Sequence, residues 1–366
     1  MKRLHLIIAC CLSAVAFAAE REPLVDVFFA EVLKASFLAW DSNHDGTLAK
    51  LEIDTALADP KIKGDAAAAL AVVKRLNRSK TWSAIPLMIE GMSTIPKTKG
   101  PPNLTSMFNE GRKRIANTKR ELFAEAEPSL MKLHQGDMGN CFSLAPLGCM
   151  LSRDPAQVKA MFKQNDDGTY EVKIGHKFIR VAAPTDAEIA LSSRNESTGL
   201  WSNVYEKAAG VACNELRDEK DRLTTPLDAI ASGGSAGTML ALITGNEMER
   251  FTLKWAKDEK TTPQEIESKL AELRTKLIAA LAERRCVTTG TLSPTMPGMR
   301  GGHAYGVVGY NAATDEIKTW DPHGDTFTPK GTPGPETGYP RQDGLCEMPL
   351  VVFVKQFSGF AFEILK

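Results

Sequence analysis

Three residues in this chain have types and surroundings that suit one piece of chemistry. Cys141 stands in HQGDMGNCFSLAPLGCML, after a glycine-containing turn and before an apolar helical stretch. A thiol at a helix start feels the positive end of the dipole, which favours the thiolate nucleophile. His303, in Gly301-Gly302-His303-Ala304-Tyr305, opens an apolar strand and can face that thiol as a base. Asp321, in Trp320-Asp321-Pro322-His323-Gly324, closes the next strand with a carboxylate that can orient the imidazole. A lone cysteine before an apolar run is an ordinary core residue. The company of the histidine and the acid is what points to catalysis.

A second constellation suits a hard cation. DSNHDGTLAKLE at 41–52 follows the twelve-residue calcium loop position by position. Asp41, Asn43 and Asp45 supply oxygens at positions 1, 3 and 5, and Gly46 permits the sharp turn. Thr47 offers its carbonyl, Leu48 is the apolar plug, and Glu52 is the bidentate carboxylate. Position 9 is Ala49, so water takes that place. The bland alternative is an Asx-rich turn between helices. Such loops come in pairs, and NRSKTWSAIPLM at 77–88 follows a further helix at a suitable distance. Met88 stands at its bidentate position, so this second hand is expected to pack without binding metal.

The motifs around the thiol resemble those of the calpain-type, papain-fold cysteine peptidases. The family's nucleophile motif is matched by Gln135-Gly136-Asp137-Met138-Gly139-Asn140-Cys141-Phe142, and its Gly-His-Ala-Tyr motif by Gly302 to Tyr305. Asp321-Pro322-His323-Gly324 is similar to Asn-Pro-Trp-Gly. Trp201-Ser202-Asn203-Val204-Tyr205-Glu206-Lys207-Ala208 and Ser232-Gly233-Gly234-Ser235 resemble an intervening helix and turn. The resemblance implies that Cys141 attacks, His303 carries the proton and Asp321 orients it. It also implies that the Gln135 amide and the Cys141 N–H converge on the substrate oxyanion. Asn140 and Phe142 replace Asp and Trp, Asp321 replaces Asn, and His323 replaces a shielding Trp. Pro146 predicts a kink or a shifted start in the helix after the cysteine. His134 is read as surface or structural, His323 as a cleft wall or loop residue, and Glu206 and Lys207 most simply as a solvated helix face, for which the resemblance implies structural contacts instead.

The surrounding elements must hold these groups. The chain has 366 residues, with 45 basic and 45 acidic side chains, so nothing in its charge points to nucleic acid. The only long apolar run lies at the N-terminus. Lys2 and Arg3, an apolar stretch and Ala16-Phe17-Ala18 fit an export signal over 1–18, hence a secreted or periplasmic protein with no membrane span after its removal. Export removes Cys10 and Cys11 and leaves Cys141, Cys149, Cys213, Cys286 and Cys346, an odd number that leaves at least one thiol unpaired. Cys149 is read as core or as half of a disulfide. STIPKTKGPPNLT at 93–105 reads as a linker that couples the two parts loosely.

The expected fold is therefore α+β: an all-α EF-hand-like module at 19–92, then a papain-like peptidase fold of two subdomains at 106–366. Helix is expected at 261–285, where Thr262, Pro263 and Glu265 form a capped start. Strands are expected at DGTYEVKI, HKFIRVAA, CVTTGTL, HAYGVVGYN, EIKTWD and PLVVFVKQF, and a surface loop at 329–340. The function expected from all of this is an exported cysteine endopeptidase acting on protein or peptide substrates, with Ca2+ in its N-terminal loop. A transglutaminase-type acyl transferase and a catalytically inert calcium-dependent binding protein are the alternatives.

Overall fold

The computed structural model describes residues 26–82, 84–94, 100–195 and 198–365. The expected export segment lies outside them, as do residues 95–99 of the expected linker.

The N-terminal part is helical: α1 (Val27–Trp40), α2 (Lys50–Ala58), α3 (Gly64–Arg78), α4 (Ile89–Ser93) and α5 (Leu104–Asn117). Asp26 caps α1 by accepting from the Phe29 N–H at 2.7 Å. Phe29, Leu33, Phe37 and Trp40 then fall on one buried face. Ala67 to Val73 of α3 are all buried, so α3 is apolar nearly all round and sits inside its neighbours. The loop before α2 and the loop before α4 meet through Leu48 N–H donating to Leu87 O at 2.8 Å.

The second part begins with α6 (Cys141–Arg153) and α7 (Pro155–Lys159). A three-stranded antiparallel sheet follows, β1 (Phe162–Gln164), β2 (Tyr170–Ile174) and β3 (Lys177–Val181). Helices α8 (Asp186–Leu191), α9 (Trp201–Glu215), α10 (Pro226–Ile230) and α11 (Ala236–Thr244) complete a mainly helical half. The other half comprises β4 (Glu247–Thr252), α12 (Pro263–Ala282), β5 (Val287–Thr291), β6 (His303–Asn311) and β7 (Glu316–Trp320). It closes with β8 (Arg341–Gln342), β9 (Leu345–Pro349), α13 (Leu350–Gln356) and β10 (Phe357–Ile364). Its seven strands form one sheet in the order β4-β10-β5-β6-β7-β9-β8, antiparallel throughout. The fold is mixed α+β, with one apolar cluster in the helical half and another between the sheet, α12 and α13.

Several expectations need correction. The expected strand PLVVFVKQF is largely the helix α13, and the last strand follows it. Leu350, Phe353, Val354 and Phe357 are the buried positions, which is helical spacing and not alternation. Pro146 lies inside an unbroken α6 that starts at Cys141. All five described cysteines are free, and Cys149 is a core residue.

The coupling between the two parts is not loose. Ala187, Ala190 and Leu191 of α8 belong to the same apolar cluster as α1 to α5. Lys74 of α3, with no exposed surface, ion-pairs Asp54 of α2 and Asp228 of α10.

Candidate active site

The two halves meet at α6 and β6. A glycine at 148 lets them close: a Cβ there would meet the Trp320 ring of β7 at 2.3 Å. Cys141 is the first residue of α6, His303 the first of β6, and Asp321 follows the last residue of β7. The helical half thus carries the thiol and the sheet half carries the imidazole and the carboxylate. His303 Nε2 lies 2.7 Å from Asp321 Oδ1, and His303 and Cys141 line the same depression.

The electrostatics follow from this chain of contacts. Burial pushes the Cys141 thiol up, but the His303 hydrogen bond and charge, with the Ala304 and Phe142 N–H groups, outweigh it and bring it below the ordinary thiol range. Burial pushes His303 down, while Asp321 and Cys141 on either side overcome this and raise it to about 9. Asp321 is wholly buried, which favours its neutral form; His303, the His323 N–H and Arg341 reverse that and keep it ionised. The contacts thus favour the thiolate at Cys141 and the imidazolium at His303. Cys149, Cys213, Cys286 and Cys346 all lie above the ordinary thiol range, chiefly through burial, with Cys149 at about 12 and Cys346 at about 11.

His323 lies against His303. Its ring stacks on His303 at 5.1 Å and 19°, and burial first, aided by Arg300 and His303, drops it to about 4. A neutral ring therefore covers the imidazolium, the shielding an indole would give. His134 is structural: it is buried, its backbone bridges to Arg194, and Gly324 leaves room for its ring. Gly324 has φ +66°, and a Cβ there would meet His134 Nδ1 at 1.8 Å.

Gln135 is buried in the turn before α6. Its backbone N–H donates to Pro322 O at 2.6 Å, so the turn is tied to the residue after Asp321. Its Nε2 donates one hydrogen to Met138 O at 2.6 Å and has a second to give. Gly139 and Gly233 exchange a further bond, since Gly233 N–H donates to Gly139 O at 2.8 Å. Phe142 supports this lip of the cleft, with its ring packed against Gly234. A depression of about 440 Å³ runs from Cys141 and His303 between Gly233–Gly234 on one side and Thr289–Gly290 with Gly359 on the other.

Glu206 was read as solvated and is wholly buried instead. It accepts from Asn140 Nδ2 at 2.6 Å and from the Ser193 N–H and hydroxyl at 2.9 and 2.8 Å. Asn140 caps α6 beside the thiol, so Glu206 holds the nucleophile's neighbour. Lys207, on the same helix, ion-pairs Glu188 at 2.7 Å. The similarity of this helix to a family motif was the only signal for either role.

The expected metal residues lie together in the 41–52 loop, engaged with its own backbone. Glu52 Oε1 accepts from the Ser42 and Asn43 N–H groups, and Oε2 from that of Ala49. Asp41 Oδ2 accepts from Gly46 N–H, Asn43 Oδ1 from Asp45 N–H, and Asp45 Oδ1 from Thr47 N–H. Asp41 Oδ1 is buried with no hydrogen-bond partner. Among the described residues no three His, Cys, Asp or Glu side chains are already gathered for a metal. No helix of the described residues is long and apolar enough to cross a membrane.

No curated protein matches the chain. A family model described as calpain family cysteine protease matches residues 108–331, which is more than half of it and spans Cys141, His303 and Asp321. The chain belongs to the calpain family of cysteine proteases.

Proposed function

We propose that this protein is a calpain-like endopeptidase that cleaves peptide bonds through Cys141, His303 and Asp321. The observation that carries the reading is that Cys141 and His303 line one depression while His303 Nε2 lies 2.7 Å from Asp321 Oδ1. The thiolate attacks the peptide carbonyl carbon, and the C–O π electrons move to the oxygen. The Cys141 N–H and the free Gln135 Nε2 hydrogen are the donors for that oxyanion. Collapse breaks the C–N bond, and His303 gives its proton to the leaving amine. Water then loses a proton to His303 and attacks the thioester, which releases the acid and restores the thiolate–imidazolium pair. Asp321 keeps one ring orientation through both steps and stabilises the cation. The depression beside Cys141 takes a stretch of extended chain, which supports endo cleavage.

The test is a peptide library treated with wild type and Cys141→Ala. Cleavage lost in the variant supports the reading. An acyl-enzyme resolved by an added amine in preference to water would favour acyl transfer, and an inert Cys141 would favour a binding role.

The 41–52 loop is the candidate calcium site. The buried, unpartnered Asp41 Oδ1 and the sharp turn at Gly46, with φ +81°, favour this. Asp41, Asn43, Asp45, the Thr47 carbonyl and Glu52 would hold the ion, once Glu52 releases the loop amides it now accepts from. Export through 1–18 is proposed from the sequence pattern, and a product beginning after Ala18 by mass spectrometry would support it.

A further inference from the structure

The turn that runs from Gln135 to Cys141 carries the Gln135 amide, so its position sets how well that donor meets the transition state. Most of its tethers are backbone bonds within the peptidase half. Gln135 N–H reaches Pro322 O, Asp137 N–H reaches Leu191 O at 3.0 Å, and Gly139 N–H reaches Ala231 O at 2.9 Å. Its one ionic tether comes from elsewhere. Arg114 of α5 donates through Nη1 to Asp137 Oδ2 at 2.5 Å, and Arg75 Nη1 of α3 lies 3.2 Å from the same oxygen. Arg114 also donates from Nη1 to Ala190 O at 2.8 Å, which fixes the guanidinium on α8. The three side chains are only 10% (Arg114), 20% (Arg75) and 15% (Asp137) exposed. Solvent therefore screens these pairs less than it screens surface ion pairs.

We propose that Asp137 is a positioning residue, through which the arginines of α3 and α5 hold the Gln135 amide in register with the substrate oxyanion. The proposal rests on the cysteine-peptidase reading. It gives the N-terminal helices a role in the chemistry that needs no metal. The physical reason is leverage: Asp137 lies two residues after Gln135 and four before Cys141. Its carboxylate is the only charged group between them. A displacement of the turn would leave the thiolate–imidazolium pair intact, since that pair is built by α6, β6 and β7. It would move only the Gln135 donor.

That separation supplies the test. In full-length protein, Asp137→Asn and the gentler Arg75→Gln are compared with wild type. A misplaced donor should lower kcat for a peptide substrate by roughly ten- to a hundredfold, with KM within about twofold. Alkylation of Cys141 by iodoacetamide forms no oxyanion, so its rate should stay within about twofold of wild type. In a Gln135→Ala background Asp137→Asn should cost little more, because both changes remove the same interaction. Hydrogen exchange of the 135–141 amides should quicken in Asp137→Asn.

Additive losses in the Gln135→Ala background, a parallel fall in alkylation, or unchanged exchange over 135–141 would each overturn the proposal. A wild type that hydrolyses no peptide would sink the peptidase reading instead. The exchange of the 135–141 amides alone would then decide whether the clamp orders this turn.

Discussion

Lys74 Nζ, on a side chain with no exposed surface, lies 2.7 Å from Asp228 Oδ2 and so joins α3 of the N-terminal helices to α10 of the peptidase half. The same ammonium pairs with Asp54, while Lys50 and Arg78 approach Asp228 at 3.4 and 3.8 Å. Such a network is costly to break from one side, because the remaining charges stay buried. Lys74→Met should therefore destabilise the protein by about 3–5 kcal/mol in urea unfolding. A fragment beginning near residue 105 would lack Lys74, Arg75 and the apolar cover of Ala187, Ala190 and Leu191. It should be poorly soluble and inactive. A fragment as stable and as fast as the full chain would show that the network is dispensable.

His303 is held at about 9 by Asp321 and the thiol against burial, so the imidazolium persists below that pH and is lost above it. Hydrolysis should therefore fall as pH rises through about 9. Asp321→Asn keeps an oxygen that accepts from Nε2 but removes the negative charge. The basic limb of kcat/KM should then move to lower pH, with substantial activity kept near neutrality, and Asp321→Ala should lose more. A limb that does not move would mean that Asp321 has no electrostatic hold on His303. If Asn is as damaging as Ala at every pH, the charge itself is essential and the acyl-transfer reading gains.

Burial raises Glu206 from 4.5 to about 7, and the hydrogen bonds from Ser193 and Asn140 only partly offset it. The folded state holds this proton more tightly than the unfolded one. The stability from this group is thus full below about 4.5 and is lost as pH rises to about 7. Glu206→Gln removes the titration. The melting temperature of the variant minus that of wild type should increase between pH 5 and 8, and a constant difference would contradict the assignment.

The residues of the site were legible where each carries its chemistry in a short local pattern. Cys141 opens an apolar helix, His303 opens a strand and Asp321 ends one, and a few neighbours are enough to say so. The capped start at Thr262 and Glu265 was legible for the same reason, and both halves of its capping box are present. What positions the site was not legible. Asp137 meets Arg75 and Arg114, and Lys74 meets Asp228, across long stretches of chain. Sequence gives charged residues a solvent face by default. Glu206 was misread by that default, and the proline- and glycine-rich 93–105 stretch suggested slack where Ala190 and Leu191 pack under α5 and α3. The strand misread at 349–357 came from composition. Valine and phenylalanine favour strands, but the buried positions follow a helical period.

Cys141 is the one described cysteine whose thiol lies below its ordinary range, and it borders the open depression. The other four are raised by burial. An epoxide at neutral pH should label Cys141 well ahead of Cys149, Cys213, Cys286 and Cys346 in folded protein, read by peptide mass mapping. His303→Ala should slow that labelling, because it removes the hydrogen bond and charge that lower the thiol. Equal labelling of all five would show that the thiol is not activated.

Calcium at 41–52 should raise the melting temperature of the full chain, since an ion that binds only the folded form stabilises it by mass action. Extracellular sites of this kind bind at about 10⁻⁴–10⁻³ M. At a hundred times the dissociation constant the gain is about 2.7 kcal/mol, a shift of several degrees. Asp45 is exposed and bonds only within the loop, so Asp45→Ala should fold and should lose the rise. Glu52→Gln tests the carboxylate that must turn from the loop amides to the ion, and it too should lose the rise. Magnesium is smaller and prefers an octahedral shell with retained water, so it should substitute poorly. A rise of equal size in wild type and both variants would place the ion elsewhere. No rise in wild type would leave 41–52 as a self-bonded turn, with Asp41 Oδ1 unsatisfied for no metal's sake.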